Sequence, residues 1–561
     1  MNHNYTKYTL QHAWKSFTRD FSELPALGFV DETQYSYRNL GEAIQSISRF
    51  LTDQGIKAGD RVAILSENRP EWAMTYFAIN NIGGIIVPIL PDFPAADVIN
   101  IVDHSESRAI IVSGRLKGKT AQIASFCKVY DIEGLVEGPG AGESGQGDDT
   151  EGSRTEFHQV EEEDTACVIY TSGTTGQSKG VMLSNKNLVW NALASKEIPP
   201  MRRHHRMLSI LPLSHTYECT LGMILPLVSG AHVFYLKRPP STTVLLPALA
   251  HVRPHLMLSV PLLIEKIYRQ SVLPRFSKDN LAGKLYTKPL FRKILNRLAG
   301  KKLKRMFGGK LFFFGIGGAA LDPEVEQFLR EAKFPYAIGY GLTETSPLIA
   351  GANAKKSRYR STGPIVPGLE VRLLEPNEEG VGQIAVRGPS IMQGYYRDEE
   401  KTREVLDEDG WFYTGDLGSF GKKDYLYIKG RLKNVILGPS GENIYPEAIE
   451  SLVNNMDFVE ESLVYQEEQS LVARIHLNYQ ELAESVDNLA ENASHIPRDI
   501  GEYLKHVQEQ VNRQLSNFSR LHKVIEQKDE FEKTPTKKIR RFLYTSQKED
   551  QKEERKEDRE K

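Results

Sequence analysis

The stretch that most constrains this chain is YTSGTTGQSKG at 170–180. An apolar run at 167–170 reads as a buried strand leading into it. Thr171, Ser172, Gly173, Thr174, Thr175 and Gly176 follow, with Lys179 close behind. Gly173, Gly176 and Gly180 let backbone N–H groups turn towards an anion, because no Cβ obstructs its approach. The hydroxyls of Thr171, Ser172, Thr174 and Thr175 add neutral donors, and Lys179 adds a positive charge. Such a loop suits a polyphosphate. It departs from the GxxxxGK[ST] pattern, with Ser178 where that motif has Gly and Gly180 where it has a hydroxyl. A flexible Ser/Gly linker is the plain alternative, but linkers rarely leave a buried strand and enter a helix such as 185–195.

With 561 residues the chain has room for three or four domain-sized units, or one large multi-layer domain plus extras. Its 71 basic and 73 acidic residues balance, so no global field argues for nucleic acid as a partner. Cys127, Cys167 and Cys219 are isolated, as expected in a reducing compartment. The N-terminus shows no secretory signal, and the longest apolar candidate, 223–236, is short for a membrane span and interrupted by Pro, Gly and His. A cytoplasmic chain, soluble or peripheral, is expected.

Between 8 and 135, β-branched runs (60–65, 84–89, 108–112) alternate with amphipathic segments (40–51, 71–82), the pattern of an α/β sheet. The stretch 138–153, rich in Gly, Asp, Glu and Ser, reads as a mobile surface loop. Region 358–430 turns β-rich, with short strands at 369–374, 382–387 and 425–428 that fit a small barrel-like subdomain. Beyond it, strand (471–477) and helix (500–515) mix. The charged tail 546–561 has no apolar residue and reads as disordered or a frayed helix.

Several motifs are placed to carry chemistry. An apolar run delivers His215, Tyr217 and Glu218 to a loop at a strand end, where open sheets bind ligands. Another buried strand, 310–319, ends in Gly317 and Gly318. In YAIGYGLTETSP (336–347), Tyr340 offers a flat face to a purine while Gly339 and Gly341 permit close approach. Thr343 supplies a hydroxyl for a phosphate oxygen. Glu344 would repel a polyphosphate without a metal, so it argues for Mg²⁺; a helix start capped by Thr-Glu-Thr is the alternative, which leaves the glycines and tyrosine unexplained. Asp416, on a Gly-Asp turn, can accept both hydroxyls of a ribose, and Arg431 can hold the ribose or a phosphate with its planar fork.

These motifs, in this order, resemble the adenylate-forming superfamily of acyl-CoA synthetases, adenylation domains and luciferases. The similarity spans about 10–545, and the segment 409–434 resembles the signature of fatty acyl-CoA synthetases in particular. The resemblance implies an α/β fold: a large N-terminal part, 1–430, with two parallel-sheet subdomains and a small barrel-like one, a hinge at 431–434 carrying Lys433, and a smaller mobile α+β domain at 435–545. It implies that ATP, Mg²⁺ and coenzyme A are used to convert a fatty acid, through an acyl-adenylate, to its thioester. It places His215 beside the acyl pocket, Gly317 and Gly318 against adenine, and the catalytic lysine at Lys538. Lys537 stands where the family has glycine, which leaves Lys537 and Lys533 as further candidates. Transfer to an acyl-carrier protein, or nucleotide binding without turnover, are the other readings. Acyl chain length and oligomeric state are left open.

One stretch stands apart. Residues 269–310 hold thirteen Lys/Arg against a single acid, Asp279. Within it Pro289 can open a helix with Leu290, Phe291, Ile294, Leu295 and Leu298 on one face. That face either packs on the core or, across 289–310, touches anionic lipid at the inner membrane face.

Overall fold

The computed structural model describes residues 6–136, 157–172, 178–276, 281–438, 442–468, 470–479, 482, 500–534 and 538–545. Gly173, Thr174, Thr175, Gly176 and Lys537, the loop at 138–153 and the tail at 546–561 lie outside the described residues.

Two large sheets share one interior. The seven-stranded sheet is built on parallel neighbours: Arg61–Leu65 lies between Ile85–Ile89 and Ala109–Val112, with Lys128–Asp131 beyond the latter. The eight-stranded sheet runs parallel from Pro25–Phe29 through His232–Tyr235, Arg206–Leu208, Leu256–Ser259 and Phe313–Ile316 to Tyr336–Gly341. Successive side chains on a strand point to opposite faces. Hence Val62, Ile64 and Ile86 join Val233, Leu256, Leu258 and Phe313 in one central core. Their neighbours Ala63, Leu65, Val87 and Ile89 face a second core outside the first sheet, and Leu208, Phe234, Met257 and Phe314 a third outside the second.

The helix Pro70–Asn81 lies in that central layer. Every one of its residues except Glu71 is buried. The amphipathic reading of 71–82 is therefore corrected. A helix enclosed by apolar surface on all sides shows no polar stripe.

A second difference concerns the glycine-hydroxyl segment. Thr165–Ser172 pairs antiparallel with Ser178–Ser184, so the element that follows the segment is a strand and not a helix. Lys179 sits on the returning strand, opposite Thr171. Alternation in that strand buries Val181 and Leu183 in the central core, which fixes its register. The helix Asn185–Ala194 follows, with Ser184 and Asn187 forming a capping box.

The β-rich region forms a five-stranded antiparallel sheet, with Phe412–Phe420 between Gly382–Arg387 and Tyr425–Arg431. Towards the C-terminus, Val459–Glu467, Ser470–Leu477 and Lys523–Glu526 form a three-stranded sheet with its own hydrophobic cluster, shared with the helices Pro446–Val453 and Ile500–Asn512.

The basic helix spans Pro289–Met306, with proline in its first turn as expected. Of the two readings of its apolar face, packing on the core is not what is found. Asn296, Gly300 and Leu303 are buried, while Leu290, Phe291, Ile294 and Leu298 are exposed. At Gly300 a Cβ would come within 2.4 Å of the Ala332 carbonyl oxygen, so the glycine lets this helix approach the chain leaving Pro323–Glu331. Arg292 and Asn296 both reach Glu331, at 2.9 and 2.8 Å. The polar side of the helix is thus the held side.

Glu218 is also corrected, from loop to core. It is completely buried; Ser209 Oγ donates to its Oε1 at 2.6 Å, and Oε2 has no partner. Burial pushes its pKa from the ordinary 4.5 up to about 8. The folded state therefore keeps a proton that the unfolded chain releases, so the stabilisation is complete below pH 4.5 and is lost as pH rises to about 8. Glu218→Gln cannot ionise. In denaturant unfolding followed by tryptophan fluorescence, the variant should gain on the parent by up to about 1.4 kcal/mol per pH unit across that window. A difference constant with pH would show that Glu218 is already ionised in the folded protein.

Candidate active site

The hairpin, the strand Tyr336–Gly341 and the strand Phe412–Phe420 bring the sequence motifs to one cleft. At its centre is Asp416, whose side chain is 6% exposed. Cross-strand register sets it directly opposite Arg431. Arg431 Nε lies 2.7 Å from Oδ1, and Tyr340 donates its hydroxyl proton to Oδ2 at 2.7 Å. Burial raises the pKa of Asp416, against the opposing pull of Arg431, the Tyr340 hydrogen bond and Lys538. Tyr340, half-buried beside this carboxylate, has its own pKa pushed well above the ordinary value by loss of hydration and then by Asp416.

Lys538 reaches the same place from the far end of the chain. Its side chain is exposed, within electrostatic reach of Arg431, Asp416 and Glu344. Loss of hydration and then Arg431 lower its pKa, while Asp416 and Glu344 act in the opposite direction. The turn carrying it is fastened locally: the Lys538 amide donates to Thr534 Oγ1 at 3.2 Å, and the Thr534 amide donates to the Lys538 carbonyl at 2.8 Å. Three residues on, Arg541 pairs with the buried Glu450 and donates to the Val464 carbonyl at 3.2 Å. Lys533 is instead held by Glu461 at 2.8 Å. Of the two described lysine candidates, Lys538 is the one beside the site's carboxylates.

His215 faces the same charge. Burial, then Lys538, push its pKa down to about 4, with Asp92 opposing them, so its imidazole is neutral at pH 7.

On the other wall, Thr343 and Glu344 stand in the short 3-10 turn Thr343–Thr345. Tyr395 donates to Glu344 Oε1 at 3.1 Å, and the Lys179 ammonium lies 4.7 Å from the centre of the Tyr395 ring. Lys179, Tyr395 and Glu344 therefore form a connected row from the hairpin to the turn. Asn191 supports the turn from below: its amide donates to the carbonyls of Thr345 and Leu348 and its oxygen accepts from the Leu348 amide. Gly341 is required by space. A Cβ there would lie 1.8 Å from the Pro347 carbonyl oxygen.

A narrow apolar cavity opens beside these groups. Tyr217, Leu221, Met207, Leu258, Gly339 and Ala352 are among its lining residues. Tyr217 lies flush against the Phe313–Ile316 strand and the turn after it. A Cβ at Gly315 would be 2.9 Å from its hydroxyl oxygen and one at Gly317 3.2 Å from its ring. Gly318 adopts φ +88°, which a glycine tolerates without strain.

The structure thus brings together Lys538, Asp416, Arg431, Tyr340, Glu344 and His215, with Thr343 and Lys179 on the adjoining wall. Lys433 lies outside this group, exposed in the turn Leu432–Asn434. Next to it Asn434 donates to Glu447 Oε1 at 2.6 Å, linking that turn to the helix Pro446–Val453. Tyr395 and Asn191 were missed from the sequence. Asn191 left a trace, as a polar residue on a helix that is largely buried; Tyr395 left none, being adjacent to the site only through pairing with Val181.

Comparison with known proteins places this geometry in context. The AMP-binding enzyme family model matches residues 14–396. Long chain acyl-CoA synthetase 6, peroxisomal, of Arabidopsis thaliana is 31% identical over 83% of this chain and 72% of its own length. Long-chain-fatty-acid–CoA ligase FadD15 of Mycobacterium bovis is 29% identical over 75% of this chain and 73% of its own. Among solved structures, O-succinylbenzoate coenzyme A synthetase of Bacillus subtilis, in complex with ATP and magnesium ion, superposes with a TM-score of 0.75 at 21% identity, covering 94% of this chain and 98% of that one.

The Asp416–Arg431 contact can be tested without substrate. Arg431→Met leaves a buried carboxylate short of a partner and should cost about 1–2 kcal/mol of stability, less than for a fully buried pair because Arg431 is 44% exposed. Adding Asp416→Asn should return part of that loss. Strictly additive effects of the two substitutions would show that the pair is not coupled.

Proposed function

Because the chain belongs to the AMP-binding enzyme family, we propose that it activates a long-chain fatty acid with ATP, through an acyl-adenylate, to its CoA thioester. The observation that carries this reading is the convergence of Lys538 with Asp416, Arg431 and Glu344 beside an apolar cavity. The names of the relatives, long-chain acyl-CoA ligases, favour a long aliphatic acid.

In the first step a carboxylate oxygen attacks the α-phosphorus of ATP; the new O–P bond forms as the bond to pyrophosphate breaks. Two anions must meet, so positive charge and donors at the junction do most of the work. Lys538 spans the carboxylate and an α-phosphate oxygen, and Thr343 donates its hydroxyl to the same phosphate. Asp416 accepts from the ribose hydroxyls, with Arg431 holding the carboxylate in place. Tyr340, Gly339, Gly341, Gly317 and Gly318 shape the adenine slot. Thr171, Ser172, Gly173, Thr174, Thr175, Gly176 and Lys179 take the β- and γ-phosphates. His215, neutral, adjoins the acid's carboxylate without adding charge to it.

The residues fit a magnesium ion held jointly with phosphate. Glu344 has one oxygen committed to Tyr395, leaving the other for a hard cation. No cluster of three acidic, His or Cys side chains among the described residues is placed to hold a metal alone, so Glu344 would hold the ion together with substrate phosphate and water, as suits magnesium. When bound, the ion offsets polyphosphate charge.

In the second step the CoA thiol displaces AMP. We assign residues 1–430 to one body and 435–545 to a second that turns about 431–434, with Lys433 at the pivot, so that Lys538 withdraws and the thiol gains access.

Pyrophosphate release measured over carboxylates from acetate to oleate, with and without CoA, tests the reading. Release should rise with chain length, and thioester should form only with CoA. Release indifferent to chain length would remove the long-chain assignment, and thioester formed on an acyl-carrier protein but not on CoA would change the acceptor.

Two variants separate the half-reactions. Lys538→Ala should slow adenylate formation by two or more decades, about 3 kcal/mol of barrier, while leaving thioester formation from supplied acyl-adenylate largely intact. Lys433→Pro should do the reverse, accumulating acyl-adenylate because a fixed φ opposes rotation. Equal loss of both half-reactions in either variant would contradict its assigned role.

A further inference from the structure

The helix Pro289–Met306 leaves uncovered the side that amphipathic helices normally bury. Leu290 is 70% exposed, Phe291 41%, Ile294 46% and Leu298 58%. At about 100° per residue these four fall within an arc of roughly 100°. Its opposite side is the one fastened to the protein: Asn296, Gly300 and Leu303 are buried, and Arg292 and Asn296 are tied to Glu331. Rotation to bury the stripe would break those contacts and drive a side chain into the space Gly300 leaves beside Ala332.

Charge frames the stripe. Lys293 and Arg297 project on one flank and Lys302 on the other, and Lys301 and Arg305 extend the face towards the C-terminal end; all five are exposed. None of the five has an ion pair among the described residues. The helix is 18 residues, or about 27 Å, long. No helix among the described residues is long and apolar enough to cross a membrane, and this one has the makeup of a helix that lies in an interface, with large apolar residues at the centre and long cations along the sides.

We propose that this exposed face docks on an anionic lipid bilayer, with the helix lying in the plane of the interface, the four apolar side chains entering the acyl boundary and the flanking cations on lipid phosphates and carboxylates. Lipid fits better than the other occupants. A second copy of the chain would set Lys293, Arg297 and Lys302 against like charges in a low-dielectric contact. Nucleic acid would satisfy the cations but leave the apolar centre uncovered. An anionic bilayer meets both needs at once, with an attraction that weakens as salt shortens the Debye length.

Flotation of the full chain with vesicles of phosphatidylcholine alone, or of phosphatidylcholine with phosphatidylserine, tests this at low and high salt. Binding should favour the anionic vesicles and fall steeply with salt. Leu290→Glu with Ile294→Glu, and separately Lys293→Glu with Arg297→Glu, should each lower binding about tenfold or more. Neither pair should shift the thermal midpoint appreciably, since these side chains are exposed. Absence of binding at low salt, equal binding to both vesicles, or binding unchanged in both variants would overturn the proposal. So would a dimer seen in sedimentation that the Leu290→Glu, Ile294→Glu variant dissolves while vesicle binding is absent.

Discussion

A buried carboxylate is stable only when its charge is answered, and at Asp416 the answer comes from three distant parts of the chain. Arg431 faces it across the five-stranded sheet, Tyr340 donates from the end of the eight-stranded sheet, and Lys538 approaches from the C-terminal segment. The separate needs of these groups coincide at one point. A slip of one residue in the Phe412–Phe420 strand would turn Asp416 to the other face and leave Arg431 and Tyr340 without their partner. The cleft is thus held by the same interaction that sets the register of its wall.

The layering explains why that cleft sits where it does. Two sheets share the core around the buried helix Pro70–Asn81, so their strands end side by side. One end carries the hairpin with Lys179, the other the turn with Glu344, and Tyr395 bridges them. Backbone must pass close to backbone at such a junction, which is where Gly341 admits no side chain. Most of the catalytic design proposed here is positional, with cations and donors placed where two anions meet.

Much of this was legible in the sequence because the motifs are local. The Tyr340–Glu344 segment and the stretch around Asp416 each stand out within a dozen residues, although Asp416 lies in the strand Phe412–Phe420 and not on the expected turn, and the α/β alternation follows from runs of β-branched residues. What was not legible depends on what lies opposite. Periodicity identified the apolar stripe of Pro289–Met306 but could not say that the other side would be fastened through Asn296 and Glu331. Glu218, three residues from His215, looked equally available, yet it closes the short helix Thr216–Glu218 and its carboxylate is buried in the core against Ser209. The all-round burial of Pro70–Asn81 and the place of Tyr395 are likewise set by partners far away in sequence.

The central claim, that a carboxylate of the substrate attacks the α-phosphorus of ATP, is tested most directly by following its oxygen atoms. A long-chain fatty acid carrying heavy oxygen in its carboxylate, turned over with ATP and CoA, should deliver one labelled oxygen to the phosphate of AMP, because the acyl-adenylate is cleaved at its acyl carbon by the thiol. Pyrophosphate should remain unlabelled. Label recovered in inorganic phosphate alongside ADP, or AMP formed without label, would mean that the acid is activated by another route and would contradict the account.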